Sequence, residues 1–497
     1  MDRISALEFY LQHRKKLLAL RYVDFVINWD MQTDAAEGSV AADSQQMGVI
    51  AARSYELTSD KQFEQAVTTL YDCLDDLSDP VLRHEIEVVK KSIDEIKKIP
   101  ADEYAAYQQL TSEAYPVYVR AKRENDFDLF RPYLEKIVDY RRKLTVWLQT
   151  DELHGYDVLL DSYEPHYTMK QYDAFFNVLR EKLVPAIKKV TKDVAPVPEW
   201  ATQRFPREAQ REFCEYLRDV MCFDKSRGIM KESEHPFTSG FGTDDVRITN
   251  HYHEQNFASA IFSAIHETGH ALYEQQCDKA LNATLCGGGA SLGLHESQSR
   301  FYENVIGRNA AFWKVHYPAL KKRFPKQLKG VSLKEFLAYV NRAECSFVRT
   351  EADELTYPLH VMLRYEIEKK LIDGSLAVKD LPKYWKDKFT EYFGITPPTD
   401  TLGVLQDVHW AYGNFGYFPT YALGSAIAAQ LYHHMNKDFD VKASLATGTT
   451  KQINEWLREH VHKYGGSLYP DEILRLAIGE DFNPNYYVDY LLDKYCK

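Results

Sequence analysis

The sequence predicts a mainly α-helical chain with a small β-sheet beside its functional motifs. Two observations carry this. Long segments repeat apolar residues at three-to-four spacing, the period of a helix with one buried face. Alternating, β-branched runs are scarce among the 497 residues. The first helical segment is ISALEFYLQHRKKLLALRYVDFVINW. VLRHEIEVVKKSIDEIKKI follows and stops at Pro100, which cannot continue a helix. YRRKLTVWLQ and YDAFFNVLREKLVPAIKKV keep the same period. VAPVPEW (194–200) punctuates helices rather than dividing domains. DDVRITNHY (244–252), after the turn-rich SGFGT, is the best strand candidate. We read one unit over 1–497: helical to about 230, motif-bearing from about 231 to 425, and helical again to the end.

Composition narrows the function. Net charge is −12, so a polyanion such as nucleic acid is not the expected partner. No run approaches the eighteen or so apolar residues of a membrane span, and the N-terminus lacks a signal-peptide apolar core. The seven cysteines are odd in number and contain no C-x-x-C, which suits reduced thiols. A cytoplasmic protein is expected.

The chemistry begins at Asn256, a suitable N-cap for the helix FASAIFSAIHETGHALYEQQ. His266 and His270 stand four positions apart and share a helix face, so both imidazoles can meet one ion. Glu267 adjoins His266 and can act on a water without taking a ligand position. Chance produces this H-E-x-x-H pattern in on the order of one or two per cent of chains this long. Gly269 weakens the helix by roughly 1 kcal/mol relative to Ala, unless its small size serves packing.

A catalytic site needs a third ligand. Glu296 lies 26 positions after His270, which leaves room for a loop and a returning helix from about Ser291. Ser299, Arg300 and Glu303 share its face. Glu303 suits either an ion-paired surface, the more ordinary reading, or the second ring N–H of a liganding histidine. His295 should point elsewhere and reads as a hydrogen-bonded structural histidine. Gly287-Gly288-Gly289 marks a turn and lacks the remainder of a phosphate-binding loop.

HETGH followed about thirty residues on by HESQSR resembles the thermostable carboxypeptidase family typified by carboxypeptidase Taq. HPFTSGFGTDDVRIT (235–249), VRTEAD (348–353) and GVLQDVHW (403–410) match further family segments in family order. One departure is Val348, where the family pattern usually has Ile. The resemblance covers the last half of the chain in motifs, with a compatible helical pattern before it. It implies a metal-dependent carboxypeptidase acting on peptides with a free C-terminal carboxylate. It also implies a two-lobed helical body around a deep groove, a homodimer, and one divalent ion per chain, zinc by default with cobalt as the alternative.

On this reading His266, His270 and Glu296 hold the metal and Glu267 is the general base. His409 and Tyr421 are candidate donors to the oxyanion, the latter from the resemblance, and Tyr417 is a weaker third. Arg349 is the first choice for the substrate carboxylate, with an internal pair to Glu351, Asp353 or Glu354 as the structural alternative. Arg247 is the second choice, although DDVRIT would instead serve as an edge strand with Asp245 and Thr249 structural. Asp407 or Gln406 would orient a neighbour, and His235, before Pro236, would shape a turn.

Rival readings are an oligo-endopeptidase with the same metal site and a non-catalytic helical binding protein stabilised by metal. The second draws on Cys277 and Cys286 near the motif. An aminopeptidase fits poorly, because the position nineteen after His270 is Gly289 rather than Glu.

Overall fold

The first long helix, Arg3–Thr33, begins where Asp2 caps it: one carboxylate oxygen accepts from the N–H groups of Ile4 and Ser5, both at 3.1 Å. The structure is a computed structural model describing residues 1–496. The other periodic segments also become helices, namely Pro80–Lys98, Phe127–Leu148 and Met169–Val178. Pro80–Lys98 ends just before Pro100, as the sequence requires. Met169–Val178 runs through one π turn, Leu179–Leu183, into Val184–Val190. The extra residue of that turn is a shift the simple period does not reveal.

The mainly helical prediction holds, and the sheet is small. Its three strands are β1 (Met230–Glu232), β2 (Thr238–Gly240) and β3 (Val246–Asn250), in the order β1-β3-β2. β1 runs parallel to β3, with Met230 opposite Ile248, and β2 runs antiparallel, with Thr238 opposite the same residue. The DDVRIT segment is therefore the central strand, which corrects its reading as an edge. The exposed ladder edges belong to β1 and β2, three-residue strands too short to show alternation.

Val246 and Ile248 of β3 pack with Ala271, which seats the helix Phe257–Gln276 on the sheet. The helix Leu292–Arg300 lies between that helix and a third, Pro419–Asp438. Buried apolar residues form one large cluster from Tyr107 to Leu491 and a smaller one among the first helices, from Ala6 to Ile93. No helix among the described residues is long and apolar enough to cross a membrane.

Candidate active site

The cap expected at Asn256 is present, and the second helix, expected to start near Ser291, is capped by that serine. Asn256 accepts from the Ser259 N–H at 3.3 Å, and Ser291 accepts from the Leu294 N–H at 3.1 Å. They start the two helices that carry His266, His270 and Glu296. Close contact between those helices depends on glycine. A Cβ on Gly269 would stand 2.9 Å from the Gln298 carbonyl oxygen and from the Ser299 Cα. The packing role left open for Gly269 is thus real.

His266, His270 and Glu296 each offer one ligand atom, and these atoms all lie within 4.8 Å of one another. Nε2 of His270 is 3.4 Å and Nε2 of His266 3.7 Å from Oε2 of Glu296. Ligand atoms each about 2.1 Å from a tetrahedral ion stand about 3.4 Å apart, so the spacing fits one divalent cation. No cysteine among the described residues belongs to this group.

The carboxylates around it are built for different states. Burial opposes ionisation of Glu296, yet Arg300 and the two histidines together hold its pKa well below the ordinary value. Arg300 donates to Oε1 at 2.7 Å and Ser299 to Oε2 at 3.0 Å. Glu303 meets Nδ1 of His266 at 2.9 Å and also pairs with Arg300 and Arg308. Both readings of Glu303 therefore apply, with its charges buried rather than on a solvated face. Glu267 is only 7% exposed. Burial raises its pKa, opposed by His266 and by the Thr238 hydroxyl, which donates to Oε2 at 2.7 Å and also lies 3.0 Å from the Glu267 carbonyl oxygen. Sequence reasoning missed Thr238, whose only signal was its place in the HPFTSG segment.

A second cluster gathers around Asp407. Arg349 donates to it from Nε at 3.1 Å and Nη2 at 3.0 Å, and from Nη1 to the Tyr357 hydroxyl at 3.1 Å. Arg364, also unnoticed in the sequence, donates to the other Asp407 oxygen at 2.6 Å. Gln406 accepts the Arg349 backbone N–H at 2.9 Å. Asp407 and Gln406 thus orient Arg349, and the nearby acids Glu351, Asp353 and Glu354 are not its partners. The guanidinium sits 5.0 Å from the Tyr421 ring centroid. The His409 ring packs at a tilt against Phe418 and Tyr417, with centroids 4.4 and 5.3 Å away, and its Nδ1 is buried without a partner among the described residues. Burial brings the His409 pKa down to about 4. The ring planes of Tyr417 and Tyr421 meet at 70°, with centroids 5.3 Å apart. Arg247 lies elsewhere: its fork grips Asp245 at 2.6 and 2.8 Å and covers Phe25 and Trp29 of the first helix. Thr249 is buried within the sheet, and exposed His235 sits in the turn between β1 and β2.

The sequence pattern of the carboxypeptidase Taq (M32) metallopeptidases matches residues 9–495. The chain belongs to this family. M32 relatives align along almost the whole chain. Carboxypeptidase 1 of Bacillus subtilis is 42% identical over 95% of this chain and 94% of its own. Thermostable carboxypeptidase 1 of Pyrococcus furiosus is 35% identical over 97% and 96%. The structure of Trypanosoma cruzi metallocarboxypeptidase 1 superposes with a TM-score of 0.94 at 31% identity, covering 99% of this chain and 100% of that one. As an M32 protein the chain is a metal-dependent peptide hydrolase with carboxypeptidase activity.

Proposed function

We propose that this M32 enzyme removes C-terminal residues from peptides with Glu267 as general base beside an ion held by His266, His270 and Glu296. The observation that carries the reading is the Glu267 carboxylate: buried next to a ligand histidine, raised in pKa and oriented by Thr238. When bound, the divalent ion polarises the scissile carbonyl and makes water acidic near neutral pH. Glu267 accepts the proton of the attacking water and passes it to the leaving amine. Thr238 fixes the plane of that carboxylate throughout.

Tyr421 is our oxyanion donor. It lies three positions before Gly424 on one helix face, and Gly424 packs on Glu296. Burial, with the Tyr357 and Tyr417 hydroxyls, raises its pKa and keeps the phenol protonated. Arg349 takes the substrate carboxylate. Three of its five N–H groups are committed, which leaves one on each terminal nitrogen. Neutral His409 can add a further hydrogen bond there. Arg247 is set aside, because Asp245 already occupies its fork.

Zinc as the ion, with cobalt as alternative, belongs to the same proposal, as do a homodimer, one working unit over 1–497 and a cytoplasmic setting. The last is supported by seven free cysteines. The deciding experiment gives metal-loaded protein one N-blocked peptide with its C-terminus either free or amidated. Stepwise release from the free acid alone is expected. Equal internal cleavage of both peptides would mean an oligo-endopeptidase, and cleavage of neither with metal bound would mean a non-catalytic protein.

A further inference from the structure

The two histidines of the metal site are backed differently. Nδ1 of His266 faces a carboxylate, Glu303. Nδ1 of His270 faces another imidazole nitrogen, Nδ1 of His295, at 2.7 Å. Two ring nitrogens at that distance share one proton: one donates and the other accepts. Beyond His295 stands Glu274, whose Oε1 is 2.7 Å from Nε2 of His295. The same oxygen accepts the Gly289 N–H at 3.0 Å.

We propose that His295 is a positioning residue for His270: together with Glu274 it selects which nitrogen of His270 faces the metal ion. The inference rests on His270 being a ligand. An ionised carboxylate only accepts, so Nε2 of His295 carries the hydrogen. A single ring hydrogen placed on Nε2 by Glu274 leaves the lone pair of His295 on Nδ1. Nδ1 of His270 must donate into that lone pair, which frees Nε2 of His270. That freed nitrogen is the atom 3.4 Å from Glu296. In the reversed order the hydrogen of His270 would sit on Nε2 and point at the cation. The order of hydrogen bonds also fixes the ring rotation, the usual effect of partners behind a ligand.

The surroundings are built for this relay. A Cβ on Gly289 would stand 2.6 Å from Cδ2 of His295, so only glycine leaves room for the ring. The Tyr273 ring packs at 5.1 Å on His295, and its hydroxyl accepts the Ala290 N–H at 3.2 Å. The triple-glycine turn, which no phosphate site explained, thus makes room for the ring and supplies a donor to Glu274.

The test measures metal binding by chelator competition, with and without added imidazole, and the absorption spectrum of the cobalt-loaded protein. His295→Ala should bind metal about 10- to 100-fold more weakly. Its cobalt spectrum should change, and imidazole should restore both. His295→Asn places an amide oxygen near the position of Nδ1 and should fall between wild type and His295→Ala. Wild-type affinity and spectrum in His295→Ala, with binding lost in His270→Ala, would overturn this inference alone. So would equal weakening in both His295 variants with no imidazole rescue, because that marks a packing defect. Metal binding unaffected by His270→Ala would overturn the reading of the site, and this inference with it.

Discussion

A Cβ on Gly424 would stand 2.7 Å from the Cβ of Glu296. Gly269 makes a similar approach from the other side, so the Glu296 helix is gripped between two glycines. Gly424→Ala should therefore push the ligand helix away. The expected cost is about 1–3 kcal/mol of overpacking, against roughly 1 kcal/mol gained in helix propensity. Lower thermal stability and weaker metal binding should appear together. Gly48, in the exposed helix Val40–Thr58, provides the control, because a Cβ there would meet nothing within 4 Å. Gly48→Ala should be neutral or slightly stabilising, with metal binding unchanged.

Glu267→Gln separates the base from the ligands. Thr238 can still hold the amide, and His266, His270 and Glu296 are untouched. Metal stoichiometry should stay at the wild-type value, while kcat falls by about 10²–10⁴-fold. Metal analysis and steady-state kinetics on one preparation check both. Retained turnover would remove Glu267 from the mechanism.

The cluster of His266, His270 and Glu296 was legible because helical spacing puts His266 and His270 on one face, while the Asn256 cap and a helix start near Ser291 mark where the two helices begin. Other contacts depend on features no local pattern encodes. Glu303 sits on the π turn Phe301–Ile306, so its exact reach follows from how that turn winds. Arg349 finds Asp407, 58 positions away, rather than the acids beside it in sequence. β3 became the central strand because Met230–Glu232, a segment with no strand pattern, pairs on its far side. For Arg349 and for β3 a long-range partner decided among locally equal options, and for Glu303 the winding of one turn did.

Glu164 gives the stability a pH dependence. It is fully buried and accepts from the Ser291 hydroxyl and the Gly293 N–H, both at 2.7 Å, at the start of the Glu296 helix. Burial raises its pKa to about 7, against those two donors. The folded state thus holds this proton more tightly than the unfolded chain, where the carboxyl titrates at about 4.3. Its contribution is most favourable below that lower value and is lost as pH rises toward about 7. Thermal midpoints of wild type and Glu164→Gln across this range should shift steadily in favour of the variant and level off above it. A constant difference would mean that the two donors keep the carboxylate ionised throughout.

Arg349→Ala tests the carboxylate pocket. Asp407 keeps Arg364 as a partner, so the loss falls mainly on substrate. Each charge-assisted hydrogen bond to a carboxylate is worth about 1.5–3 kcal/mol, so losing two should lower kcat/KM on free-acid peptides by roughly a hundredfold or more. The effect should appear chiefly as a higher KM, and the amidated peptide, already poor, should change little. The ratio of free-acid to amide hydrolysis is thus the sensitive reading. Arg349→Lys keeps the charge but not the planar fork, and should recover only part of that ratio. An unchanged ratio in Arg349→Ala would move the carboxylate to another cation, with Arg364 and His409 the next positions to substitute.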